Sequence, residues 1–320
     1  MQQGQREAVA ERVARDWGLE LPEPFFVFAE FLDALDPEAR RALGDIGLSP
    51  CGITDLFRDP AAPPRDGLDA RVHGRYYRDP PEFLTFLHGG SDGLHFGLWY
   101  DDGRTCAGVA SYRTLDGGGI DRTARTPLEA VRAVLERCWR DLDDDPSDDE
   151  ETAAHRTRLG LLRRALTGFG TADRTETGLA HAQAYDLAAP PADHDRVTTL
   201  DGGGALVAGD TVDDRPPHNA ADEYRFATHM YAVLDNAEAL RARHTEALRR
   251  CASGDPAEAL VLGRDLHWAS GGDAHREALA AELLVAAYRA LDRPALGGVA
   301  AAHHRHRALP RVEVLVPGPA

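Results

Sequence analysis

The stretch Arg71–Gly90, RVHGRYYRDPPEFLTFLHGG, gives the clearest indication of the fold. RVHGRYY and EFLTFLHG are short segments rich in aromatic and aliphatic residues, which is typical of strands, and the DPP between them predicts a rigid corner. The segments HFGLWYDD and CAGVASY continue the pattern, separated by the turn sequences GGSDG and DDGR. We therefore predict an antiparallel meander between Leu48 and Tyr112, with Phe83 and Phe86 packed in the sheet.

Helices flank this predicted sheet along the sequence. REAVAERVARDWG has apolar residues at helical spacing and ends at Gly18, a suitable C-terminal cap. LPEPFFVFAEFLDALDPEARRAL predicts one further helix, whose first turn tolerates its first two prolines. TPLEAVRAVLERCWRDL predicts a helix after the sheet, with Thr126 as its N-cap. Residues 1–140 thus form a predicted α+β domain.

The second half of the chain has a different pattern. DLDDDPSDDEE lies within residues 141–152, and the repulsion among its charges predicts a solvated acidic linker. A helix follows, and residues 171–217 carry no clear pattern. From Ala220 onward five segments have helical spacing. Three residues are suited to cap these helices: Asn236, Asp255 and Asp273.

These patterns together predict the fold class. We expect residues 153–320 to form a mainly helical C-terminal domain. The fold is then α+β, with a small antiparallel sheet and helices in the N-terminal half and an all-helical C-terminal half.

Composition excludes several kinds of chemistry. All 36 Lys and Arg positions are Arg, so the chain cannot use a Schiff-base lysine, a Walker A lysine or a kinase-type lysine. The formal net charge of -17 argues against direct nucleic-acid binding, because nonspecific affinity comes from neutralising phosphates. No apolar run approaches the roughly 20 residues of a membrane-spanning helix, so we expect no membrane partner.

Cysteine and histidine positions predict no metal site. The four cysteines are scattered, without a CxxC pair or a histidine at finger spacing, so we expect reduced thiols in a cytoplasmic protein. The cluster His303, His304 and His306 lacks an acidic or thiolate companion, and we expect it to be a solvated helix end.

Two groups of acids and bases are candidates for a functional site. The first lies in the opening stretch and comprises His73, Arg75, Asp79 and Glu82. The second lies in CASGDPAEALVLGRDLHWASGGDAH and comprises Asp255, Glu258, Arg264, Asp265, His267 and His275. Arg264 and His267 are three residues apart and share a helix face, while Asp265 points about 100° away. Helix capping and surface ion pairs would also explain the second group, so its role stays open at this point.

Two separated blocks resemble the histone PARylation factor family. LPEPFFVFAEFLDALDPEARRALGDIGLSPCGITDLF with HGRYYRDPPEFLTFL is similar to the family's LPxxFxxF helix, LGL segment and recurring YxDPPEF. EALVLGRDLHWAS with AELLVAAYRALDRPAL is similar to its LxLGxDL turn and its LLxxAYxxL helix. The two blocks occur in the family's order, and residues 114–235 lie outside the resemblance.

This resemblance implies a fold and an accessory role in ADP-ribosylation. It implies an α+β N-terminal half and a helical C-terminal half. In the animal members, the protein docks on a poly(ADP-ribose) polymerase and lends a glutamate to a joint active site. That carboxylate acts as general base, since a serine hydroxyl is a poor nucleophile until a base takes its proton.

The resemblance also identifies where this chain departs from the family. The family glutamate falls ten residues before Gly263, at Ser253, which cannot act as that base. Either Asp255, two residues further on, substitutes for that glutamate, or this chain has kept the scaffold and lost the donated carboxylate. The family's Tyr-Arg pair corresponds to Tyr224 and Arg225. The residues expected to bind a partner or ADP-ribose are Tyr224, Arg225, Arg264, Asp265, His267 and His275.

Three functions follow as hypotheses. The first is a bacterial-type accessory protein that binds an ADP-ribosyltransferase or an ADP-ribosylated protein. It would have no cofactor of its own, because NAD would enter through a partner enzyme. It would also have no complete catalytic site. The second is an interaction or immunity protein of the SMI1/KNR4 type, suggested by LPEPFFVF and LHGGSDGLHFGLWYDDG, whose acidity would suit a basic toxin. The third is a hydrolase that uses Asp255 with His267 or His275.

Overall fold

A computed structural model gives the fold, and it describes residues 2–115, 118–144, 149–169, 196–212, 215–216, 223–316 and 318. Helix α1 (Gln3–Asp16) ends as predicted, with Gly18 in the left-handed region at φ +73°. The single helix predicted next is wrong, because the chain forms α2 (Glu23–Ala34) and α3 (Pro37–Asp45). Proline disfavours a helical residue before it and cannot continue the helix, so the break falls before Pro37. Asp36 caps α3 by accepting a 2.8 Å hydrogen bond from the Ala39 amide.

The predicted antiparallel meander is confirmed as a five-stranded sheet in sequential order. Its strands are β1 (Ser49–Pro50), β2 (Phe83–His88), β3 (Leu94–Trp99), β4 (Gly108–Arg113) and β5 (Asp121–Ala124). Aromatic side chains of α2 pack on one face of this sheet. The ring centroids of Phe25 and Phe28 lie 6.0 and 5.3 Å from that of Phe86, and all three side chains are buried. Burying an aromatic of this size stabilises the fold by about 2–3 kcal/mol.

The strand predicted over RVHGRYY is wrong. This segment forms a 3₁₀ turn, Ala70–Val72, followed by Gly74 at φ +75°, a left-handed conformation that breaks a strand. Glycine is required at position 74 for a second reason: an ideal Cβ would lie 2.7 Å from Gly52 Cα. The side chains of His73 and Arg75 are buried and bind backbone carbonyls instead of alternating across a sheet.

Two helices follow the sheet, α4 (Pro127–Asp144) and α5 (Glu150–Phe169). The predicted cap is confirmed, because Thr126 Oγ1 accepts a 3.2 Å hydrogen bond from the Glu129 amide. The predicted acidic linker is helical at both ends, and residues 145–148 lie outside the described residues. Helix α5 packs against α3 and α4, partly through paired hydrogen bonds of 2.9 and 2.7 Å from Arg163 to Glu136. The division into two domains stays a prediction.

The C-terminal half is built from five described helices. They are α6 (Glu223–Leu234), α7 (Ala237–Ala252), α8 (Ala257–Ala269), α9 (Ala274–Ala290) and α10 (Pro294–Arg305). The side chains of Asn236 and Asp273 cap α7 and α9, as predicted. Before α6, a short hairpin of β6 (Arg196–Val197) and β7 (Ala205–Leu206) adds a strand pair to a half predicted to be all helical. The α+β fold class is confirmed.

The opening stretch joins the two halves of the chain. The Tyr77 hydroxyl is 3.0 Å from Ser270 Oγ and accepts a 2.7 Å hydrogen bond from the Gly272 amide, both beyond α8. His73 Nδ1 accepts hydrogen bonds of 3.0 and 3.2 Å from the amides of Val314 and Leu315, which fixes the C-terminal segment beside residues 63–74. Among the described residues, no helix combines the length and apolar character that crossing a bilayer requires.

Candidate functional site

Two members of the first predicted group, Arg75 and Asp79, belong to a buried structural network centred on Asp79. Its carboxylate accepts hydrogen bonds from His95 Nε2 at 2.9 Å, the Tyr112 hydroxyl at 2.6 Å and the Tyr76 amide at 2.9 Å. Burial disfavours the charged carboxylate, but His95 and the other partners outweigh burial and lower the pKa of Asp79. Arg75 Nη1 donates to the Phe83 carbonyl at 2.7 Å, so this network holds the corner before β2.

Arg264 belongs to a second buried network that links the two halves. Its guanidinium lies 2.6 Å from Asp201 Oδ2 and 3.0 Å from Glu82 Oε1, and it is 1% exposed. Burial would lower the pKa of Arg264, but the carboxylates of Asp201 and Glu82 raise it above its usual value. The Tyr288 hydroxyl donates to Glu82 at 2.8 Å and completes the cluster. Arg264 therefore cannot contact a partner without unpairing two buried acids.

Asp265 and Glu258 face the segment that crosses α8. Asp265 accepts a 2.7 Å hydrogen bond from the Leu200 amide and pairs with Arg215, while Glu258 accepts 2.8 Å from the Val212 amide. Both carboxylates are buried, and burial raises the pKa of each. Residues 200–212 and Arg215 thus lie along α8, anchored to its acidic side chains through Leu200, Val212 and Arg215.

His267 packs inside the molecule as well. Its Nε2 lies 2.9 Å from the Asp79 carbonyl, and its ring lies 5.1 Å from that of His303. Burial lowers the pKa of both histidines well below the usual value, and Arg307 and Arg75 act in the same direction. His303 is 2% exposed, so the expectation of a solvated helix end is wrong for this residue.

Unlike Glu258 and Asp265, Asp255 is partly exposed, in the turn between α7 and α8. Arg250 Nε donates to Asp255 Oδ2 at 2.7 Å, and the Asp255 side chain is 35% exposed. The N-cap position of α8 is Pro256, one residue after the predicted Asp255, whose carboxylate accepts a 3.4 Å hydrogen bond from the Ala257 amide. Ser253 ends α7, is exposed, and donates to the Arg249 carbonyl at 3.1 Å.

Three other predicted residues are exposed. Tyr224 is 86% exposed, and its neighbour Arg225 is exposed beside it on the first turn of α6. Helix α6 contacts α7, the helix that leads into the Asp255 turn. His275 is also exposed but lies on the first turn of α9, beyond the other end of α8.

The eight predicted site residues therefore divide into two sets. Arg264, Asp265 and His267 are buried: the first two form buried ion pairs rather than the surface pairs considered from the sequence, and His267 contacts a backbone carbonyl. Tyr224, Arg225, Ser253, Asp255 and His275 are exposed or half-buried. Sequence reasoning missed the partners Arg250, Asp201 and Arg215. Arg250 could have been found from its place in the last turn of α7, five residues before Asp255.

The predicted hydrolase dyad is wrong on geometry. Asp255 precedes α8, whereas His267 lies in its last turn and His275 on the helix after it. Twelve residues at 1.5 Å each separate Asp255 from His267 by about 18 Å, too far for a shared proton. Within the described ranges, no group of three or more His, Cys, Asp or Glu side chains is placed to hold a metal ion.

Comparison with known proteins decides the family. The family model described as histone PARylation factor 1 matches residues 8–167, which span the N-terminal helices, the sheet and most of α5. The chain belongs to the histone PARylation factor 1 family. The α7–α8 turn lies outside this match.

Individual relatives support the histone PARylation factor 1 assignment at low identity. The chain is 31% identical over 98 residues to histone PARylation factor 1 of Danio rerio, covering 30% of this chain and 28% of the relative. It is 35% identical over 88 residues to that of Mus musculus, covering 26% and 25%, and 33% identical over 96 residues to that of Bos taurus, covering 28% of each. The chain thus spans 25 to 28% of the length of these curated relatives.

Proposed function

We propose that this protein is an accessory factor of ADP-ribosylation that binds an ADP-ribosyltransferase or an ADP-ribosylated protein. Membership of the histone PARylation factor 1 family supports the general role. The observation that carries the finer proposal is the half-exposed Asp255 carboxylate, two residues from the position of the family glutamate. Tyr224 and Arg225, exposed on the neighbouring helix, supply the surface that a partner would contact.

Asp255 is the group we assign to proton transfer. A serine hydroxyl in the acceptor needs a base within hydrogen-bond reach, and Ser253 offers a neutral hydroxyl that cannot take the proton. Asp255 offers a carboxylate, held by Arg250, with part of its surface open to a docked acceptor. Arg250 orients this carboxylate through its hydrogen bond, and a partner that engages Arg250 would free the carboxylate to act as a base.

The protein supplies this group to a joint site and is not an enzyme by itself. NAD, the ADP-ribosyl donor, would enter with the partner enzyme, so the isolated chain should show no turnover. We place the partnership in the cytoplasm, in keeping with four cysteines that are all unpaired.

Affinity capture from the source cell, with and without NAD, tests the partner assignment. The captured proteins should include an ADP-ribosyltransferase or an ADP-ribosylated protein, and the purified chain should increase labelling of acceptors by that transferase. Capture of a basic protein, with no effect on labelling, would instead support the immunity-module hypothesis. Recovery of neither an ADP-ribosyltransferase nor a modified protein would overturn the proposal.

A further inference from the structure

A cleft of about 480 Å³ lies away from the Asp255 turn, and it combines groups that suit a phosphorylated sugar. It opens between the end of α1, the loop after β3 and the start of α10. The basic groups in its lining are Arg15, Arg71 and Arg104, and the acidic groups are Asp102 and Asp292. Its volume is in the range of small-molecule sites.

The three arginines keep donors available for a ligand. Arg71 Nη1 donates to Asp69 at 3.0 Å and Arg15 Nε to Asp16 at 3.0 Å. A guanidinium has five donors, and each of these contacts uses only one of its nitrogens, so both groups keep donors with which to bind an anion. Arg104 is fixed by its backbone, since its carbonyl accepts 3.2 Å from the Glu20 amide.

The start of α10 adds a second anion-binding element to the cleft. Pro294 and Ala295, its first two residues, line the cleft. The N-cap residue, Arg293, makes no capping bond, and its Nη2 donates to the Leu206 carbonyl at 2.9 Å. The first amides of a helix lack intrahelical partners and carry its positive partial charge. Because Pro294 has no N–H, the amides that this 12-residue helix offers to an anion are those of Ala295 and Leu296.

The carboxylates of Asp102 and Asp292 line the same cleft and add hydrogen-bond acceptors beside its cationic groups. Asp102 Oδ1 accepts from the amides of Arg104 at 2.8 Å and Thr105 at 2.7 Å, and a carboxylate has further lone pairs with which to accept. The pKa of Asp102 is lowered because these backbone bonds outweigh burial, so it is a pure acceptor at neutral pH. Carboxylates that accept from a vicinal diol beside phosphate-binding amides are the means by which proteins hold a ribose.

We propose that this cleft binds a ribosyl phosphate, with the phosphate on Arg71, Arg104 and the α10 amides and the diol on Asp102 or Asp292. The inference concerns a free or terminal ribosyl phosphate bound by this chain alone, so it does not depend on the proposed accessory function. Because the chain as a whole carries a net charge of -17 and repels anions, an anion would be attracted where arginines cluster locally.

Calorimetric titration with ADP-ribose, ribose 5-phosphate and inorganic phosphate tests this site. ADP-ribose and ribose 5-phosphate should bind saturably, and Arg71→Gln with Arg104→Gln should weaken both about tenfold or more, since each loses a charge-assisted bond. Arg41→Gln, an equal charge change at an exposed site on α3, should leave affinity unchanged. Thermal melting of each variant reports whether it folds.

A second variant isolates the sugar. Asp102→Asn with Asp292→Asn should weaken ribose 5-phosphate but not inorganic phosphate. Asp255→Ala should bind all three ligands as the wild type does, which separates this site from the accessory function. Absence of wild-type binding at millimolar ligand, or equal binding by the folded Arg71→Gln/Arg104→Gln variant, would overturn the proposal.

Discussion

Arg250 and Asp255 pair across the turn between α7 and α8, with Arg250 Nε 2.7 Å from Asp255 Oδ2. The pair links the last turn of α7 to the residue before the α8 cap, so the carboxylate has a fixed position at a partly open surface. Arg250 Nη2 also donates to the Asp210 carbonyl, which brings the segment that crosses α8 to the same turn. An acid and the arginine that orients it therefore occupy the turn to which we assign proton transfer.

Restoring the family residue should increase activity. Ser253 is exposed at the end of α7, so Ser253→Glu introduces a carboxylate there without a packing cost. We expect labelling of acceptors by the partner transferase to rise relative to wild type, measured with labelled NAD. Ser253→Gln, which matches glutamate in size, is the control and should not raise it. Equal labelling with both variants would mean that position 253 does not face the acceptor.

The aromatic surface of α6 should affect binding but not stability. Tyr224 is 86% exposed, so Tyr224→Ala should change the free energy of unfolding by less than about 0.5 kcal/mol. Its affinity for the captured partner should fall by about tenfold or more, as for an aromatic hot-spot residue. Surface plasmon resonance gives the affinity. Leu115→Ala, at another exposed apolar side chain, should leave it unchanged, and a matched loss there would show a general surface effect.

The sequence predicted local features of the fold better than distant pairings. Helical spacing and the caps at Thr126, Asn236 and Asp273 located helices because capping depends on residues two or three positions apart. The strand predicted over RVHGRYY failed because its aromatic composition does not report the left-handed φ of Gly74.

The candidate site, too, could be predicted from the sequence only where it depends on local features. Asp255 and Tyr224 were located from the sequence, but nothing local indicated that Arg264 would be buried. Its partner Asp201 is 63 residues away, in a stretch without clear pattern, and Glu82 lies on the other half of the chain. The burial of charged residues follows from tertiary pairing, which residue spacing does not encode.

The Arg264 network should be essential to stability. Arg264→Ala leaves Glu82 and Asp201 as buried acids without their cation, which should cost about 3–5 kcal/mol. Urea denaturation measures the free energy of unfolding. Arg41→Ala removes an exposed arginine and should cost less than about 0.5 kcal/mol. If Arg264→Ala lowered the free energy of unfolding by no more than Arg41→Ala does, the result would contradict the conclusion that this cluster holds the two halves together.

Stability should fall as pH decreases through the ordinary histidine range. His267 and His303 have folded-state pKa values well below about 6.5, so the unfolded chain binds protons that the folded chain does not. Each should reduce the free energy of unfolding by up to about 1.4 kcal/mol per pH unit below about pH 6.5. Urea denaturation of wild type and His303→Gln between pH 7 and 5 measures this slope. A slope unchanged by His303→Gln would contradict the assignment.

The most direct test of the account is the rate of partner-dependent ADP-ribosylation with Asp255→Ala. A general base contributes about 10²–10⁴-fold, so this variant should lose nearly all stimulation of serine labelling while its partner affinity is retained. Glu246→Ala, which removes a partly exposed acid from α7, the helix before this turn, should stimulate as the wild type does. Full stimulation by Asp255→Ala would contradict the central claim that the Asp255 carboxylate replaces the family glutamate.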